Sequence, residues 1–143
     1  MTLVIRSFTN ADEAAVVALW RATGLTRPWN DPYADIARKQ AVQPELFLVG
    51  ELDGKVIASA MAGYDGHRGS VYYVAVSPDH QRQGHARAIM AEVERRLTAL
   101  GCPKLNLMVR HDNMPAVSFY ERIGYDEQAV ATLGKRLIVD APR

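Results

Sequence analysis

The feature that most constrains this chain is a β-branched and aromatic run, Val71-Tyr72-Tyr73-Val74-Ala75-Val76, that gives way after a short loop to a strongly periodic helix. Such side chains suit a pleated, half-buried surface, so the run predicts a central strand. From Gly84 to Leu100 the apolar residues Ile89, Met90, Val93 and Leu97 recur at helical spacing, while Glu92, Glu94, Arg95 and Arg96 face elsewhere. Gly101 and Pro103 then stop the helix. A strand feeding an amphipathic helix calls for a sheet with helices packed on it.

The flanking sequence supplies the rest of that sheet. Leu3-Val4-Ile5-Arg6 reads as a short strand, and Asn10 with Glu13 has the spacing of a capping box for a helix from about Ala11 to Ala22. Val16, Val17 and Trp20 give this helix one apolar face and Gly24 ends it. Trp29-Asn30-Asp31-Pro32 reads as a loop before a second helix that carries Ile36. Leu46-Phe47-Leu48-Val49 and Val56-Ile57-Ala58 flank Asp53-Gly54, the pairing expected of a tight hairpin. Asp65-Gly66-His67-Arg68-Gly69 breaks the chain before the central strand. Beyond the long helix, Leu105 to Val109 predicts another strand, Asn113 to Ile123 another helix, and Leu133 to Val139 a last strand. The expected order is β-α-α-β-β-β-α-β-α-β, in one domain over residues 1–143 without linker or repeat.

Composition narrows the function classes. With 48% apolar and 23% charged residues in 143, the chain is neither disordered nor membrane-spanning in type. A formal charge of +1 with both signs interspersed leaves no footprint for nucleic acid or an anionic membrane surface. Cys102 is the single cysteine, which rules out an intrachain disulfide, and the first residues lack a signal-peptide pattern, so a cytoplasmic setting is expected. His80 and His111 lack partners at metal-ligand spacing, so no metal is expected. Cys102 between Gly101 and Pro103 reads as a packing residue.

The chemistry is expected where the central strand meets the helix, in Ser77-Pro78-Asp79-His80-Gln81-Arg82-Gln83-Gly84-His85-Ala86-Arg87. Gly84 and the small Ala86 let a ligand approach the backbone, and unpaired N–H groups with the helix dipole favour phosphate oxygens there. Arg82 and Arg87 add charge. The segment lacks the Gly-Lys-Ser/Thr of a P-loop and the three glycines of a dinucleotide fold, which points to a pyrophosphate other than ATP or NAD.

Val76-Ser77-Pro78 followed by Gln81-Arg82-Gln83-Gly84-His85-Ala86 resembles the acetyl-CoA pyrophosphate motif of the GNAT acetyltransferases, and Asn113, Ala116 and Phe119 to Tyr125 resemble that family's second motif. Arg27 to Pro32, Gly63 to Gly69 and Leu133 to Leu137 further resemble a bacterial member of the family. The resemblance implies an α/β (mixed α+β) GNAT fold, with a mixed, mostly antiparallel sheet of about six to seven strands and about four helices. It also implies acetyl-CoA as co-substrate, a small-molecule or peptide amine as acceptor, and transfer by direct attack in a ternary complex. A homodimer is left open. So is a second reading, in which the chain is a non-catalytic acyl-CoA-binding sensor or regulatory module.

Carried onto this sequence, the resemblance assigns the backbone of Val74, Ala75 and Val76 to the pantetheine arm and the thioester carbonyl. The backbone of Gln81, Arg82, Gln83, Gly84, His85, Ala86 and Arg87 takes the pyrophosphate. Asn113 contacts the pantetheine, although an Asn before Met114-Pro115 is also a good N-cap worth about 1 kcal/mol. Tyr120 is the general acid toward the departing sulfur. Its place in an apolar stripe with Ala116, Phe119 and Ile123 equally suits packing.

The base is not fixed by the sequence. Met108 stands where the ribosomal-protein branch of the family carries a glutamate, which speaks against protein N-terminal acetylation. Deprotonating an α-amine costs about 1.4 kcal/mol at neutral pH and a lysine-like amine about 4.6 kcal/mol, so the need for a base depends on the acceptor. Asp65 and His67 are the candidates, and both equally read as ordinary turn residues. Trp29, Asn30, Asp31, Tyr64, Arg68, Lys135 and Arg136 offer both signs of charge, as a zwitterionic amine would want or a solvated surface would show.

Overall fold

A computed structural model describes residues 2–140. Its sheet consists of β1 (Val4–Ser7), β2 (Phe47–Leu52), β3 (Lys55–Tyr64), β4 (Gly69–Val76) and β5 (Leu105–Asn106), side by side in chain order. The first four are antiparallel neighbours and β5 runs parallel to β4. The helices are α1 (Glu13–Ala22), α2 (Pro32–Gln40), α3 (His85–Ala99) and α4 (Met114–Arg122). No helix among the described residues is long and apolar enough to cross a membrane.

Local chemistry accounts for these boundaries. Asp53 and Gly54 both take positive φ, 54° and 75°, which a two-residue hairpin turn of primed type requires. The capping box before α1 lies one residue earlier than expected: Thr9 N–H donates to Asp12 Oδ2 at 2.8 Å, and a short 3₁₀ turn over Asn10–Asp12 precedes the helix. Asp31 Oδ1 accepts from the N–H groups of Tyr33 at 2.9 Å and Ala34 at 3.3 Å, with Pro32 opening α2.

Alternation along the strands divides the core between the two faces of the sheet. Leu46, Leu48, Ala58, Ala60 and Ala62 pack with Ile89, Met90, Val93 and Leu97 of α3. Phe47, Val49 and Met61 pack with Val16, Val17 and Trp20 of α1 and Ile36 of α2. In β4 the parity changes along the strand. Val71 faces α3, yet Val74 and Val76 face it too, while Tyr73 and Ala75 face α1. The register against β3 jumps between Ser59↔Ala75 and Met61↔Tyr72, and Tyr73 has a φ of 54°. Two residues of β4 thus oppose Ala60 alone, which is a β-bulge.

Two expectations are corrected. The strand expected over 105–109 pairs only at Gly69↔Leu105 and Ser70↔Asn106, because the bulged β4 turns away from it beyond Ser70. The last strand expected over 133–139 does not form, so the sheet has five strands among the described residues rather than six or seven. Leu133, Leu137 and Val139 are 92%, 87% and 86% exposed. A two-residue edge offers that segment almost no ladder to join. Polar ties hold it instead, from Arg136 to Asn30 Oδ1 at 2.5 Å and from the Asp140 carboxylate to Asp31 N–H at 3.1 Å and to the Arg38 guanidinium.

Candidate active site

The loop from β4 into α3 has the geometry of an anion cradle. Gly84 takes a φ of +85° at the N-cap of α3, and a Cβ built on it would meet nothing within 4 Å. Among the described residues no side chain caps this helix, and no acid sits in its first turn. The N–H groups of His85, Ala86 and Arg87, which precede the first intrahelical bond at Ala88, therefore lack intrahelical partners. Arg82 also adopts positive φ, and Gln81 to Gly84 are exposed. Gln81 Nε2 donates to the Val76 carbonyl at 3.1 Å, tying the loop to the end of β4. His80 Nδ1 and His85 Nε2 are buried atoms with no hydrogen-bond partner among the described residues, on rings whose centroids lie 6.5 Å apart. Open space, uncapped donors and orphaned imidazole nitrogens fit a pyrophosphate held from the loop.

Beyond Ser70 the edge of β4 has no ladder partner in β5, so the peptide groups of Val74 and Ala75 border a gap in the sheet. Tyr120 of α4 packs on the α3-side core, as does Val74. Its ring meets Phe119 and Tyr125 edge-on at 5.0 and 5.8 Å. Burial pushes its phenol up to about 12. No hydrogen bond to its hydroxyl occurs among the described residues. Asn113 caps α4 by accepting from Ala116 N–H at 3.3 Å.

On the other face of the sheet a cleft of about 630 Å³ is lined by Asn30, Asp35, Arg38, Lys39, Tyr72, Tyr73 and Arg136, among others. The bulge brings the consecutive residues Tyr72 and Tyr73 to this one face. Tyr73 is fixed on all sides: its ring stacks on Trp20 at 3.7 Å, its carbonyl accepts from Ser59 Oγ at 2.7 Å, and its hydroxyl donates to Asp35 Oδ2 at 2.6 Å. Burial, then the neighbouring Asp35 carboxylate, holds this phenol far above its ordinary range.

The structure brings only some of the sequence candidates together. Asn30 and Arg136 line the cleft, whereas the half-exposed Trp29 stands outside its wall. Asp31 is buried and committed to capping α2. Asp65 and His67 lie in the β3–β4 turn, at the far end of β4 from the Gly84 loop. There Asp65 Oδ1 accepts from His67 N–H at 2.8 Å and Arg68 N–H at 2.7 Å, bonds that hold its carboxyl below the usual range. Tyr64 packs on the α3-side core and Arg68 donates to the His67 carbonyl. Neither base candidate reaches the bulge. Asp35, Lys39, Tyr72 and Tyr73 line the cleft instead, and no spacing in the sequence marks them.

The site thus combines a β4 edge that β5 leaves unpaired beyond Ser70, a glycine loop feeding an uncapped helix N-terminus, and a charged cleft at Tyr72 and Tyr73. The profile of the Acetyltransferase (GNAT) family matches residues 14–125, and the chain belongs to that family. It is similar to an acetyltransferase of Yersinia pestis strain Pestoides F, 52% identical over 136 residues that cover 95% of this chain and 96% of the relative. An acetyltransferase of Pectobacterium atrosepticum is 50% identical over the same shares. Among solved structures, the ribosomal-protein-S18-alanine N-acetyltransferase of Escherichia coli matches with a TM-score of 0.75 at 25% identity, covering 90% of this chain and 80% of that one. AAC(6')-Iy, solved with a bisubstrate analog of CoA, shares the fold with a TM-score of 0.76 at 19% identity, over 95% of this chain and 99% of that one. The protein is an acetyltransferase of mixed α/β fold.

Proposed function

We propose that this chain transfers the acetyl group of acetyl-CoA to a primary amine by direct attack of the neutral amine in a ternary complex. The observation that carries the proposal is the open Gly84 position at the uncapped N-terminus of α3, next to a β4 edge that β5 leaves unpaired beyond Ser70. The co-substrate supplies an acyl group activated as a thioester. In this reading the loop from Gln81 to Arg87 holds its pyrophosphate, and the unpaired edge at Val74 to Val76 aligns the pantetheine. A β4 N–H group stabilises the negative charge that develops on the carbonyl oxygen. Tyr120 donates a hydrogen bond to the departing sulfur, and Asn113 positions α4 beside the arm. The amine enters from the cleft side. Asp65 and His67 have no direct part, since β4 rises about 3.3 Å per residue and they stand beyond its first residue.

Calorimetric titration of acetyl-CoA into the wild type and into Gly84→Asp tests the proposal. The Gly84 Cβ position is open, so a carboxylate there meets the ligand rather than the protein. Gly84→Ala controls for the backbone strain of a side chain at positive φ, about 1 kcal/mol. Micromolar binding by the wild type and by Gly84→Ala, lost in Gly84→Asp, is the expected result; binding unaffected by the carboxylate overturns the loop assignment. Thiol release with a panel of amines separates the enzyme from the sensor reading, in which binding persists without release.

A further inference from the structure

The cleft on the α2 side carries a cation, Lys39, that acetyl transfer alone does not require. Its lining holds Asp35 with Arg38, Lys39 and Arg136, and the Asp140 and Asp31 carboxylates lie close enough behind it to act on Tyr73. Arg38 is paired with Asp35 at 3.1 Å and with Asp140. Arg136 donates to Asn30 Oδ1 and to the Ile138 carbonyl. Lys39 has neither a hydrogen bond nor an ion pair among the described residues, and only Glu45 favours its charge from farther off. Burial lowers its ammonium below the usual lysine range. Its side chain crosses from α2 toward β3, where a Cβ added to Gly63 would lie 3.6 Å from Nζ.

A desolvated cation on a cleft wall gains most from an anion delivered by the ligand. Asp35 and Lys39 are four residues apart on α2 and so lie on one face, with Cβ atoms about 5–6 Å apart. Asp35 also reaches the bulge of β4 through the Tyr73 hydroxyl, which sets the acidic end of the pair beside the gap in the sheet. We propose that the cleft selects acceptors in which the reacting amine is accompanied by a carboxylate, with Asp35 facing the ammonium and Lys39 the carboxylate. A polycation would set a like charge against Lys39, the cleft cation without a partner among the described residues. Polyamines and aminoglycosides are therefore poor acceptors, although proteins of this fold include aminoglycoside acetyltransferases. This proposal rests on the acetyl-transfer reading above.

The test compares glycine, L-alanine and γ-aminobutanoate, each against its carboxamide, with spermidine and kanamycin as polycations. Thiol release gives KM and kcat for each, and NMR saturation transfer to the CoA-loaded protein gives binding whether or not thiol is released. At least one carboxylate acceptor should bind about tenfold or more tightly than its carboxamide, the worth of a charge-assisted hydrogen bond. Lys39→Met should abolish that preference through KM, and Lys39→Arg should retain it. An undiminished acetyl-CoA affinity in both variants shows that the fold is kept. Spermidine or kanamycin as the best ligand, no preference between carboxylate and carboxamide, or a preference that survives in Lys39→Met each overturns the proposal. Failure of the transfer reading has a different signature: no thiol release with any amine, or no acetyl-CoA binding.

Discussion

The phenol of Tyr120 is held neutral by its burial, and this limits what it can do. With its pKa near 12, giving its proton outright to a thiolate whose acid titrates near 8.5 is uphill by about 5 kcal/mol. A hydrogen bond that strengthens as charge develops on sulfur is the favourable act. Tyr120→Phe should then lower kcat by about ten- to a hundredfold with little change in acetyl-CoA affinity, because the lost interaction belongs to the transition state. The raised pKa also has a sign. The phenol stays protonated until pH approaches 12, so the wild-type rate should show no descending limb from this group between about pH 7 and 10. Steady-state thiol release across that range checks both; a wild-type kcat in Tyr120→Phe removes the residue from the mechanism. The sequence singles out Tyr120 because it stands in a motif. It does not single out Asp35 and Lys39, because Pro32–Gln40 reads as a short helix with mixed charges, and such charges usually face water.

At the scale of elements, the decisive feature is the bulge in β4, which turns Tyr73 toward the cleft and parts β4 from β5. It is held by a relay: Trp20 Nε1 donates to Ser59 Oγ at 2.9 Å, and Ser59 Oγ donates to the Tyr73 carbonyl. Ser59 is fully buried. Ser59→Ala would orphan both the indole N–H and that carbonyl, a loss of about 2 kcal/mol or roughly 4–8 °C in Tm. Loosening the bulge should also raise KM for the acceptor more than it weakens acetyl-CoA binding. Calorimetric unfolding and two-substrate kinetics test this, and unchanged values of Tm and KM would show that the bulge is held by other contacts. Period and turn chemistry made most elements legible: Ile89, Met90, Val93 and Leu97 fix the inner face of α3, and Asp53-Gly54 fixes the hairpin. The bulge was hidden because the run from Val71 to Val76 is apolar on both faces, so no alternation marks the change of parity. The failed strand over 133–139 has the same origin. Its composition is that of a strand, but pairing needs an open edge, and which edge is open depends on where β4 leaves β5.

For the whole molecule, the two core layers meet the first strand through one charged cluster. Arg6 of β1 forms a fork with Asp12, Nη1 to Oδ2 and Nη2 to Oδ1 both at 2.8 Å, and its Nε donates to Glu51 of β2 at 2.8 Å. Asp12 is buried and also accepts from Thr9, so this one carboxylate ties β1, the start of α1 and, through Arg6, the second strand. The Arg6 guanidinium first, and the Thr9 N–H second, hold its carboxyl below the usual range against the opposing effect of burial. A depressed folded pKa fixes the sign of the pH dependence. The stabilisation is fully present above the unfolded value of about 3.9 and is lost as pH falls through the folded value. Asp12→Asn keeps the shape but not the charge, and should cost about 2 kcal/mol at neutral pH. It should also flatten the fall in stability between about pH 5 and 2, because the variant has no proton to take up at this site. Urea unfolding at a series of pH values reads both effects. A variant that lost stability at neutral pH yet kept the wild-type acid slope would place the acid-labile carboxylate elsewhere.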